Sequence, residues 1–171
     1  MKVLALRGKS SSGKTHTLKR FILKIDHMKD HSLIEVGYIK GDKCNLMAIT
    51  HEELSDILES NDDVYAIYDV NGTIVCVTTQ GDAKKYMDQT LKNLKQKLIS
   101  KNGTSIKDFD IYICSVRKGR NESETAQFVK GVSDDNVEYI EKTEIGKDIY
   151  NYKTINKSDV KRLLEKYLEI F

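Results

Sequence analysis

The chain has 171 residues, enough for one domain with a proper core, and its 28 Lys and Arg against 26 Asp and Glu leave a formal charge of +2. That balance gives no electrostatic footprint for nucleic acid, and no apolar run approaches the ~20 residues that span a membrane. Cys44, Cys76 and Cys114 are widely spaced, without metal-ligand spacing, and Cys76 and Cys114 sit inside apolar runs, so a cytoplasmic protein with these two as reduced core thiols is expected.

In chain order, Val3 to Leu6 form a short apolar run that predicts a buried strand. The opening Met1 to Arg7 is too short for a signal peptide and runs directly into Gly8. Gly8 to Thr15 then read G-K-S-S-S-G-K-T, a complete match to the phosphate-binding pattern G-x-x-x-x-G-K-[ST]. Each constrained position has a separate task. Gly8 and Gly13 let the backbone turn tightly and approach an anion without a Cβ clash. Successive N–H groups of Lys9, Ser10, Ser11, Ser12 and Gly13 form an anion-binding nest. Lys14 reaches the β- and γ-phosphates of a nucleoside triphosphate, and the Thr15 hydroxyl ligates Mg²⁺. His16 follows in the first helical turn, where its N–H faces the α-phosphate. Leu18, Phe21, Ile22, Ile25 and Met28 recur at helical spacing and predict a helix over 14–28.

Leu33 to Ile39 predict a second strand. Thr50 and Glu53 form a capping box for a short helix, with Ile49 and Leu54 as its hydrophobic staple. Asn71-Gly72 between Val64–Val70 and Thr73–Thr79 predicts a β-hairpin. Asp82 is the N-cap of a long helix carrying Ala83, Met87, Leu91, Leu94 and Leu98. Phe109 to Val116 predict another buried strand, which delivers Arg117 and Arg120 at its end. Asn121 and Glu124 cap a helix ending near Gly131, and Val137 to Lys142 predict a weaker strand. Residues 143–157 are open to an exposed hairpin. A final helix carries Val160, Leu163, Leu164, Tyr167, Leu168 and Phe171 on one face. Strands alternating with helices predict an α/β fold, a three-layer sandwich with a mainly parallel sheet and one antiparallel hairpin strand at an edge. The expected domain is single, residues 1–171. Ligands are then expected beyond the C-terminal strand ends, near the loop, Thr78 to Asp82, Ser115 to Arg120 and Lys40 to Asp42.

On its first 28 residues the chain resembles the P-loop NTPase superfamily, above all its small single-domain, nucleotide-kinase-like and phage or bacterial ATP-binding members. The resemblance implies a P-loop fold, Mg²⁺ and ATP, with GTP second to it, and hydrolysis or phosphoryl transfer. The family's second motif, an apolar strand ending in an Asp that supports Mg²⁺, is altered here. Ile74 to Val77 are followed by Thr78-Thr79-Gln80-Gly81-Asp82, so Thr78 stands where the Asp is expected. Gly81 still offers an N–H to the γ-phosphate. Asp82 is the best remaining acidic candidate for the metal shell and for catalysis, ahead of Asp69 and Asp42, and Asp110 lies at the wrong end of its strand. Gln80 is a candidate to orient water. Arg117 and Arg120 are candidates to stabilise charge on the γ-phosphate, like lid residues of kinase-like members.

Asn156-Lys157-Ser158-Asp159 matches a guanine motif in letters but lacks a buried strand before it, so helix capping accounts for these residues. The leading expectation is an enzyme, a P-loop NTPase acting on bound ATP. The alternatives are a nucleotide, nucleoside or polynucleotide kinase with a second phosphate-acceptor substrate, and a weakly hydrolysing nucleotide-dependent switch that binds a partner protein or, despite the modest charge, a nucleic acid. Neither reading involves a membrane.

Overall fold

The computed structural model describes residues 1–81, 83–102, 108–119, 122–143 and 152–171. Its centre is β1 (Lys2–Gly8), whose Val3 to Leu6 are fully buried. Alternate residues of a strand face opposite sides, and here both sides are covered. Leu4 and Leu6 join one apolar cluster with α1 (Lys14–Asp26), the short 3₁₀ helix η1 (Glu52–Leu58) and α4 (Tyr152–Leu168). Val3 and Ala5 join a second cluster with α2 (Lys84–Asn102) and α3 (Glu122–Ser133). On α1, Leu18, Phe21, Ile22 and Ile25 have no exposed surface. Each such burial contributes about 1.5–3 kcal/mol, so packing rather than intrinsic propensity holds this helix in place.

The other strands are β2 (His31–Lys40), β3 (Asn45–Ile49), β4 (Asp63–Val70), β5 (Thr73–Thr78), β6 (Ile111–Arg117) and β7 (Val137–Glu141). They form one sheet in the order β3-β2-β4-β5-β6-β1-β7. This corrects the expected mainly parallel, P-loop-like sheet. Pairs β1–β6, β1–β7 and β5–β6 are parallel, whereas β2–β3, β2–β4 and β4–β5 are antiparallel, and the longest ladder is the antiparallel β2–β4 pair. The connections give the reason. A parallel crossover needs about a dozen residues, and tight turns join only antiparallel neighbours. Gly41 to Cys44 turn β2 into β3 through two left-handed residues, Gly41 at φ 66° and Cys44 at φ 52°. Asn71 (φ 51°) and Gly72 (φ 85°) make the expected hairpin turn, with Asp69 Oδ1 accepting the Gly72 N–H at 2.7 Å. The antiparallel part therefore comprises β2, β3 and β4 rather than a single hairpin strand.

Other expectations shift at their edges. β3 has no counterpart in the predicted elements, because its half-exposed residues lack a clean alternation. Only half of the capping box forms: Glu53 Oε2 accepts from the Thr50 N–H at 2.8 Å and from its hydroxyl at 3.1 Å, but the Glu53 N–H bonds Thr50 O and the N-cap is His51, without a side-chain cap bond. The last helix begins at Tyr152, inside the segment read as an exposed hairpin, while 144–151 lie outside the described residues. Leu163 and Tyr167 of its predicted face are buried, but Leu168 and Phe171 are exposed.

Beneath α4, His31 Nε2 lies 2.8 Å from the Tyr167 hydroxyl, and its Nδ1 is buried with no hydrogen-bond partner. Burial holds its pKa below the ordinary histidine value, against the pull of Asp30. Below about pH 6.5 the unfolded chain therefore binds a proton that the folded chain resists, so stability falls with acidification. The urea midpoint is expected to drop between about pH 7.5 and about pH 5.5, and to drop less in His31→Gln. Equal pH slopes in the two proteins would refute this assignment.

Candidate functional site

Gly8 ends β1, and the chain reverses through Lys9 to Gly13 before α1 begins. Ser11 (φ 57°) and Gly13 (φ 82°) are both left-handed. Left-handed residues alternating with right-handed ones turn successive N–H groups toward one concavity. Gly13 is the N-cap of α1, and no acidic side chain in the first turn offsets the helix's positive end. Lys14 is only 6 % exposed, and its ammonium donates to Gly8 O at 2.8 Å and Lys9 O at 2.7 Å. Ser12 Oγ is buried without a hydrogen-bond partner. An orphaned hydroxyl and a buried ammonium in one loop suit an oxyanion, which satisfies both. Gly8 is required by packing: a Cβ there would sit 2.7 Å from Lys142 Cβ and 2.9 Å from Ser12 Oγ.

The loop opens on a cavity of about 470 Å³. Ser10 to His16 line one wall, and Thr15 is among them, half-buried. The facing wall comes from Leu58 to Asn61, Asp63, Thr79 and Gly81. Thr79 organises this wall. Its N–H donates to Val64 O at 2.9 Å, and its hydroxyl accepts from the Val64 N–H at 2.9 Å and donates to Asp63 Oδ1 at 2.8 Å. Ser115 Oγ donates to Thr79 O at 2.9 Å, and Gly81 packs so closely that a Cβ would lie 2.1 Å from Ser115 O. Lys19 is buried in the same cavity and donates to Ser60 O at 2.5 Å. Burial holds its pKa down, partly offset by Asp63 and Asp62. His16 accepts the Arg20 Nε–H at 2.9 Å, and burial, then the charges of Arg20 and Lys19, keeps it below its ordinary value. A neutral His16 is what that acceptor role requires.

The predicted residues do not all converge. Ser10 to His16 meet in the cavity, whereas Gly8 and Lys9 border a smaller one of about 330 Å³ behind the loop, beside Lys142. Asp82 and Arg120 lie outside the described residues. Arg117 pairs in register with Gly8 but does not line the cavity. Thr78 turns to the opposite face, with its hydroxyl 2.8 Å from that of Tyr112. Gln80 is engaged by Thr90 and Cys44. Asp69 and Asp110 bond the β4–β5 turn and Ile74, and exposed Asp42 is absent from the lining. Asn156 accepts from Thr17 Oγ1 at 3.1 Å, and Asp159 pairs with Lys142, so the guanine-motif letters serve packing.

The carboxylate missed by sequence reasoning is Asp63, together with buried Lys19. Asp63 stands at the start of its strand, where a search of C-terminal strand ends does not look. The available signal was the run Ser60-Asn61-Asp62-Asp63 directly before an apolar strand. No family model matches the chain, and no curated protein or solved structure matches it.

Behind the loop, the Lys142 and Asp159 side chains are wholly buried and meet at 2.5 Å. Burial opposes ionisation of Asp159, but bonds from Lys142, Thr143 and Arg162 overcome it and hold its pKa below the usual carboxylate range. Removing one partner strands a buried charge. Asp159→Asn is therefore expected to cost about 3 kcal/mol or more in urea unfolding, and Lys142→Met with Asp159→Leu to recover most of it. A loss below about 1 kcal/mol for the single variant would show the pair to be dispensable.

Proposed function

We propose that the chain binds a nucleoside triphosphate, ATP first, with Mg²⁺ at the Gly8–Thr15 loop, and acts as an NTPase on its γ-phosphate. One observation carries this reading: the left-handed turn at Ser11 and Gly13 delivers buried Lys14 and orphaned Ser12 to the mouth of a cavity.

In this reading the loop amides and the N-terminal end of α1 hold the phosphates. Lys14 exchanges its carbonyl partners for phosphate oxygens, and Ser12 Oγ gains the partner it lacks. Lys19 faces the same cavity and offsets negative charge on the γ-phosphate. The residues fit Mg²⁺, a hard cation that prefers oxygen donors, since Thr15 and Asp63 line one cavity. Held there, the ion would supply positive charge against the negative charge that develops on the phosphate during transfer. Thr79 fixes the Asp63 carboxylate through its 2.8 Å hydrogen bond.

Lys14→Ala is expected to abolish ATP binding in titration calorimetry, and unchanged affinity would sink the proposal. Asp63→Asn is expected to retain ATP binding without metal but to lose about tenfold or more of the gain conferred by Mg²⁺. A full Mg²⁺ gain in that variant would assign the carboxylate role elsewhere.

A further inference from the structure

A second cleft, of about 360 Å³, lies over α1 where η1 and α4 flank it. Its floor is apolar, from Leu23, Leu58 and Val160, and its rim is cationic, from Arg20, Lys24 and Lys157. Among the described residues, no carboxylate lines it. We propose that this cleft is the nucleoside subsite, taking the base and ribose of the triphosphate whose phosphates occupy the loop. The inference rests on the function proposed above.

Position is the first argument. Leu58 lines both the phosphate cavity and the cleft, so the two share a wall. They also share a hydrogen bond, because His16 borders the first, Arg20 borders the second, and the two are joined at 2.9 Å. At 1.5 Å per residue, Arg20 to Lys24 lie on the order of 6–12 Å beyond His16 along the helix. That is the reach of a nucleoside attached at an α-phosphate beside His16. The far wall is fixed as well, since Asn156 accepts from Thr17 and seats the first turns of α4 on α1 just before Lys157 and Val160.

Chemistry is the second argument. A base has two apolar faces, which aliphatic side chains cover, and a π system that attracts nearby Arg or Lys. Ribose hydroxyls accept from the same cationic rim. The cleft's volume falls in the range of small-ligand sites.

The test compares ATP with inorganic tripolyphosphate, each with Mg²⁺, by titration calorimetry. Val160→Glu brings a carboxylate onto the floor, and Lys157→Ala trims the exposed rim without touching the core. Wild type is expected to bind ATP at least tenfold tighter than tripolyphosphate. Val160→Glu is expected to erase that margin, and Lys157→Ala to cut it roughly threefold, with tripolyphosphate affinity unchanged in both. The unchanged anion affinity also shows that each variant is folded. An ATP margin that survives in both variants, or that is absent in wild type, overturns the subsite while leaving the phosphate loop intact. Failure of wild type to bind either ligand removes the loop reading itself.

Discussion

β4 runs against β5, and their ends are locked by two hydrogen bonds, Thr79 N–H to Val64 O and Val64 N–H to Thr79 Oγ1, both 2.9 Å. The contents of the cavity depend on this reversal. Strands β1, β2, β5, β6 and β7 share one direction, and only β3 and β4 oppose them. Parallel strands bring only their C-terminal residues to the ligand end of a sheet. β4 starts at that end instead, so it brings the segment from Ser60 to Asp63. Lys19 then ties α1 to this segment through Ser60 O. Without the reversal the loop would face neither Asp63 nor the end of η1.

The loop's conformation is held from behind as well as from in front. A left-handed Ser11 costs of order 1–3 kcal/mol and persists only where the surroundings enforce it. Here Lys14 bonds two loop carbonyls, while Lys142 packs against Gly8 and is fixed by its buried pair with Asp159. Burying these two lysines is expensive unless each keeps its partners. The network therefore spends interaction energy on holding one backbone shape. In the proposed reading, a loop held in this way is preorganised for the triphosphate, which would replace carbonyl partners of Lys14 rather than order a mobile chain.

Much of this was legible locally. The apolar run of β1, the glycines and lysine of the loop, the helical spacing of α1 and the Asn71-Gly72 turn each follow from a few adjacent residues. Strand direction did not follow. Alternation of strand and helix suggests parallel pairing, but it says nothing of direction where a connection is short. Gly41 to Cys44 are too few for a crossover, and η1 between β3 and β4 is a brief 3₁₀ segment. β3 escaped notice because an exposed edge strand needs no strict alternation. Asp63 was hidden for a related reason: its place at the site depends on a pairing made 16 residues away, at Thr79.

The departure Thr78-Thr79-Gln80-Gly81 takes on a different meaning in three dimensions. Successive strand residues point to opposite faces. Thr78 points toward Tyr112 in the layer under α2, and a carboxylate there would be desolvated against a buried phenol. Thr79 points into the cavity, and a carboxylate there would meet Asp63, already within hydrogen-bond distance. Two carboxylates at that separation would repel and drive one toward protonation. A threonine at 79 avoids this, since its hydroxyl donates to Asp63 while accepting from the Val64 amide. In the proposed reading, the acidic group of the second motif has moved across the ladder from β5 to β4. Thr79, just past the end of β5, is then the partner that the moved carboxylate requires.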